Sequence, residues 1–146
     1  MTKILIFYYS KTGNTEMMAK AIAQGARKVQ GVEVRLTEDV EPHDLAEFDA
    51  IIFGIPTYHN DMPPKVKKLF EKIEENKIDL KGKIGAVFGS HGWSGEAPRI
   101  AAKIMKEKFG MKIAASPLLI EYTPDSKGLE RCKDFGRKLA ELVARQ

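Results

Sequence analysis

The sequence predicts an α/β fold: a doubly wound, five-stranded parallel sheet covered on both faces by helices. Two observations carry that prediction. Apolar, β-rich blocks alternate with segments of helical period along the whole chain. Two of the blocks, residues 4–9 and 50–55, are apolar at successive positions, as strands buried on both faces must be. With 146 residues, 43% of them apolar and 30% charged, the chain is sized for one domain, which at this length buries about 70% of its unfolded surface.

The elements follow in order. Residues 4–9 (Ile-Leu-Ile-Phe-Tyr-Tyr) form the first strand, and Met18, Ile22, Ala26 and Val29 recur at helical spacing after it. Val32-Glu33-Val34-Arg35-Leu36 alternates, which suits an edge strand with one wet face. A polar connection over 38–47 carries Pro42 and a short helical turn from His43 and Asp44. After the third strand, Pro63-Pro64 opens a helix with Val66, Leu69, Phe70 and Ile73 inward. Residues 83–89 give the fourth strand. Ala97, Ile100, Ala101, Ile104 and Met105 stripe the next helix, which stops near Gly110. Residues 112–122 make the fifth strand, bent at Pro117, and the last helix spans about 126–143.

Composition narrows the function classes. The net charge is +4, with lysines on most helices, which describes a solvated surface suited to acidic partners. No nucleic-acid motif accompanies it. No apolar run approaches the ~20 residues of a membrane span, and residues 4–9 are too short for a signal peptide, so the expectation is a cytoplasmic protein. The lone Cys132 shares a helix face with Leu129, Phe135 and Leu139, which reads as a packed thiol.

The chemistry sits between elements. Ser10-Lys11-Thr12-Gly13-Asn14-Thr15 turns a strand into a helix, and the first-turn N–H groups of a helix lack internal partners at the positive end of its dipole. Gly13 permits close approach, and Ser10, Thr12 and Thr15 carry hydroxyls. Such a loop caps a helix in many proteins; here it is read as holding the phosphate of a mononucleotide. It matches neither G-x-x-x-x-G-K-[ST] nor G-x-G-x-x-G. Two further loops leave the carboxyl ends of strands, where open parallel sheets bind ligands. Pro56-Thr57-Tyr58-His59-Asn60-Asp61-Met62-Pro63 sets an aromatic and left-handed-tolerant residues between prolines. Gly89-Ser90-His91-Gly92-Trp93-Ser94-Gly95-Glu96 sets the sole tryptophan among glycines, a flat wall for a flat ligand, with Tyr58 or His59 as an opposing wall.

These loops together resemble those of the flavodoxins, and in particular the flavodoxin domain fused to an iron-containing domain in flavodiiron proteins. Residues 10–15 match the family's phosphate loop, Gly54-Ile55-Pro56-Thr57 with Asn60 its second loop, and Gly92-Trp93-Ser94-Gly95 its third. The resemblance implies a strand order of 2-1-3-4-5 and non-covalent FMN. The phosphate would lie on Ser10, Lys11, Thr12, Gly13, Asn14 and Thr15. The isoalloxazine would lie between Pro56, Thr57, Tyr58, His59 and Asn60 on one side and Ser90, His91, Gly92, Trp93 and Gly95 on the other. It also implies an electron carrier of the short-chain type, without a catalytic residue or metal of its own, serving a reductase and an iron–sulfur or iron protein. His43, His59 and His91 are too scattered to supply an iron ligand set. His91 stands where the flavodiiron-like domains usually carry tyrosine, and a protonated imidazole beside the flavin would raise its potential at acid pH. An NAD(P)H-dependent quinone or flavin reductase on the same fold is the competing reading. A signalling receiver domain is set aside, because neither Tyr8-Tyr9-Ser10 nor Pro56-Thr57 supplies its carboxylates.

Overall fold

The computed structural model describes residues 1–92 and 94–146. Three strands make the middle of the sheet: β1 (Thr2–Tyr8), β3 (Ala50–Gly54) and β4 (Ile84–His91). β2 (Val32–Thr37) flanks β1 with alternate residues half-exposed, as its sequence alternation requires. β5 (Lys112–Ile113) and β6 (Leu118–Glu121) both pair with β4. Every pairing is parallel and the order is β2-β1-β3-β4-β5, the doubly wound arrangement predicted.

Helices cover both faces of the sheet: α1 (Asn14–Ala26) and α4 (Ser126–Ala144) lie on one face, α2 (Pro64–Glu75) and α3 (Glu96–Glu107) on the other. The alternation of β1 divides the core accordingly. Ile4, Ile6 and Tyr8 pack with Met18, Ile22 and Cys132, while Leu5 and Phe7 pack with Phe53, Val66, Phe70 and Met105. On that second face Phe7, Phe53, Phe70 and Phe109 run edge to face at 6.0, 5.1 and 5.4 Å. Cys132 is buried in the first core, and burial pushes its thiol up to about 11, so it stays protonated and inert. Among the described residues no helix is long and apolar enough to cross a membrane.

The structure differs from the sequence expectation at three places. The fifth strand is two pieces: Gly85 pairs with Ile113 and Phe88 with Leu118, so the edge takes five steps where β4 takes three. Pro117, with no N–H for the ladder, lies in the interruption. β4 continues past Gly89 through His91 because β6 extends beside it, pairing Ser90 with Ile120 and His91 with Glu121. Ser90 and His91 are therefore strand residues. α1 ends at Ala26, and Val29 packs on the core from beyond the helix. The short turn after Pro42 is a 3-10 helix, Pro42–Glu47.

Candidate functional site

Because all strands are parallel, the segments leaving β1, β3, β4 and β6 emerge at one rim. They enclose a cleft of about 660 Å³, within the ~300–1,000 Å³ usual for small-molecule sites.

The first segment is folded around Ser10. Its Oγ accepts the N–H of Gly13 at 3.1 Å and of Glu16 at 3.2 Å. Gly13 stands before the helix at φ 95, a conformation that a side chain would strain. With those two donors taken, the N–H groups of Thr12, Asn14 and Thr15 bond to no described residue. Burial raises the pKa of the Tyr58 phenol, and the backbone N–H of Lys11 works against that shift. Lys11, Thr12 and Asn14 line the cleft. Thr15 also reaches across to the third segment. It is buried, its hydroxyl meets that of Ser90 at 3.0 Å, and its oxygen accepts the Ser90 N–H at 3.3 Å. Thr15 thus fastens the head of α1 to β4. Behind the loop, Tyr8 donates its hydroxyl to Glu16 at 3.0 Å; burial, then that bond, push the phenol up to about 12.

The second segment ends in a tight hairpin. Tyr58 and Asp61 exchange backbone hydrogen bonds at 3.2 and 3.1 Å around His59 (φ 52) and Asn60 (φ 62). Two successive left-handed residues make a type I′ turn, a conformation asparagine and histidine tolerate better than most. Asp61 anchors it through the Met62 N–H and the Lys67 ammonium. Thr57 donates its N–H to the Ser90 carbonyl at 3.3 Å, and its Oγ1 accepts the Ala97 N–H at 3.0 Å, joining this loop to the head of α3. Thr57, Tyr58 and His59 line the cleft; Pro56 is buried beneath it and Asn60 lies at the exposed tip. Tyr58 meets Tyr9 edge to face at 6.4 Å.

From the third segment Ser90, His91 and Gly92 line the cleft. Trp93 lies outside the described residues. Gly95 packs beneath: a side chain there would begin 2.6 Å from Leu119. The Nδ1 of His91 and the Oγ of Ser94 are buried with no described partner. Tyr9, Pro63, Pro64 and Tyr122 also line the cleft and were missed from the sequence. One signal for Tyr122 was available, since it follows the last strand at the same carboxyl rim.

The donor set fits a phosphate joined to a flat ring. Three N–H groups without a partner among the described residues, at a helix head, suit a dianion, and Tyr9, Tyr58 and His91 supply flat faces beside them. Among the described residues no group of His, Cys, Asp or Glu could hold a metal ion.

Comparison with known proteins agrees. The sequence model of the flavodoxins matches residues 6–136. An anaerobic nitric oxide reductase flavorubredoxin of Aeromonas hydrophila is 37% identical over 97% of this chain, which spans 29% of that protein's length. A flavodoxin from the domain Archaea superposes with a TM-score of 0.88 at 37% identity, over 98% of this chain and 99% of that one. The rubredoxin oxygen:oxidoreductase of Desulfovibrio gigas gives 0.85 at 27% identity, over 99% of this chain and 37% of that one. Matched in sequence across most of its length and in structure across nearly all of it, the chain belongs to the flavodoxin family, electron-transfer flavoproteins that bind FMN.

Proposed function

We propose that this chain forms one domain that works as a cytoplasmic FMN electron carrier, receiving electrons from a reductase and passing them to an iron–sulfur or iron protein. The observation that carries the reading is the set of N–H groups on Thr12, Asn14 and Thr15 that bond to no described residue, opening on a cleft walled by aromatic residues. Bound there, FMN would supply one-electron chemistry, and the protein would set its potentials by stacking, hydrogen bonding and charge. The phosphate would rest on residues 10–15. The ring would lie among Tyr58, His59, His91 and Gly92, with Trp93 as a further wall. The net charge of +4 favours acidic partner surfaces.

The test is the visible spectrum of purified protein soaked in FMN, desalted and reduced stepwise with dithionite. Retained flavin is expected; colourless protein ends the proposal. Steady-state assay separates a carrier from the reductase reading. A carrier should oxidise little NAD(P)H unless a separate reductase is added, whereas fast turnover by the chain alone makes it the enzyme.

The hairpin makes a finer reading possible. The peptide joining His59 to Asn60 makes no hydrogen bond to a described residue, so it can turn over without breaking the Tyr58–Asp61 pair. It would present a carbonyl to a proton-bearing ring nitrogen of the reduced flavin. Asn60→Val strains the left-handed turn by about 1–2 kcal/mol and is expected to narrow the gap between the two one-electron potentials. An unchanged gap in potentiometric titration rejects this role.

A further inference from the structure

Tyr122 follows β6 directly and lines the same cleft, yet the three-loop reading does not use it. Its backbone is left-handed, at φ 58. That conformation strains a side-chain-bearing residue, and glycine or asparagine would hold it more easily. Burial does not offset the strain, because the residue is 61% exposed. What fixes it is the neighbouring segment. The Tyr122 N–H donates to the His91 carbonyl at 2.7 Å, continuing the β4–β6 ladder by one residue. The left-handed turn then sets the ring over Gly92, where a side chain would begin 3.6 Å from the ring's Cε1. A strained, exposed aromatic on a cleft wall calls for a functional account rather than a packing one.

We propose that Tyr122 is a flavin-contacting residue, its ring forming an aromatic wall on the His91–Gly92 side of the cleft. The inference rests on the FMN reading and adds a fourth segment, the one after β6, to the binding site. The strained backbone pre-orders a ring with two rotatable bonds, so little freedom is left to lose when a flat ligand meets it. The predicted consequence is specific: the ring strengthens FMN binding and quenches flavin fluorescence, and it does neither by stabilising the fold.

Two variants of the full chain separate these effects. Tyr122→Asn keeps a residue that tolerates the left-handed backbone and removes the ring; Tyr122→Phe keeps the ring. FMN titration followed by fluorescence, with urea unfolding of the apoprotein, gives the readouts. Tyr122→Asn is expected to leave the apoprotein at least as stable, bind FMN about ten-fold more weakly and quench its fluorescence less. Tyr122→Phe should stay within about two-fold of the parent, because the contact is made by the ring face. Parent-like affinity and quenching in Tyr122→Asn overturn the proposal. So does a Tyr122→Phe protein as weak as Tyr122→Asn, or an affinity loss matched by apoprotein destabilisation. Should the parent chain itself take up no FMN, the reading of the cleft falls and this role with it; indifferent variants of an FMN-binding parent remove the role alone.

Discussion

Gly136→Ala is expected to destabilise the apoprotein by about 3 kcal/mol, a large share of the ~5–15 kcal/mol that holds a domain of this kind folded. At an exposed helix position the same change would stabilise by up to ~1 kcal/mol through propensity, so the sign itself is diagnostic. The reason is the crossing of α1 and α4. A Cβ on Gly136 would sit 2.0 Å from the Ile22 carbonyl oxygen, and one on Gly25 would sit 1.9 Å from that of Lys133. Both obstacles are backbone, so no rotamer change relieves them and the helices must separate. Around the crossing Ala23, Ala26 and Ala140 are fully buried, and separation would loosen their packing too. Because α1 begins at the phosphate loop, its displacement also moves the N–H groups of Asn14 and Thr15, and FMN affinity should fall. Gly25→Ala should behave alike, and the double variant should cost less than the sum, since the first substitution opens the gap the second needs. Urea unfolding of the three variants decides: a loss below about 1 kcal/mol in Gly136→Ala would mean that the helices are not pressed together at this point.

What the sequence disclosed, and what it hid, divides by range. The strand–loop–helix at residues 4–26 was legible because its signals are local: an apolar block, hydroxyls and glycine, then helical period. The 58–61 hairpin was half legible. His59 and Asn60 are both residue types that tolerate left-handed backbone, but that the two adopt it together is demanded by the type I′ turn that pairs Tyr58 with Asp61. The extension of β4 through His91 was hidden, since Ser90 and His91 owe their strand geometry to Ile120 and Glu121. The Thr15–Ser90 bond was hidden because it joins residues far apart in the chain. Tyr122 was hidden for a different reason: tyrosine prefers right-handed backbone, so its residue type argues against the conformation it adopts. The rule that parallel sheets bind ligands at their carboxyl rim pointed to its segment all the same.

Riboflavin, which has the same ring system and no phosphate, is expected to bind at least about 100-fold more weakly than FMN. The N–H groups of Thr12, Asn14 and Thr15 offer an anion three charge-assisted hydrogen bonds, each about 1.5–3 kcal/mol before the phosphate's loss of water is counted. The positive end of α1 adds roughly 0.3–1 kcal/mol. Lys11 is exposed and contributes little beyond screened attraction. Glu16 is the opposing charge in the first turn; Tyr8 and, at 3.8 Å, Lys20 hold its carboxylate. Desolvation leaves a net of about 3–4 kcal/mol, hence a ratio of two to three orders of magnitude. The pH dependence has a definite sign. A phosphate monoester gains its second proton near pH ~6, so FMN affinity should fall as the medium is acidified through that value. Riboflavin, with no such proton to gain, should be unaffected by this titration, and the ratio of the two dissociation constants should shrink. Parallel fluorescence titrations at neutral and acid pH measure both. A ratio below about ten at neutral pH would mean that residues 10–15 cap a helix and do no more, and that whatever binds in the cleft is held by its walls.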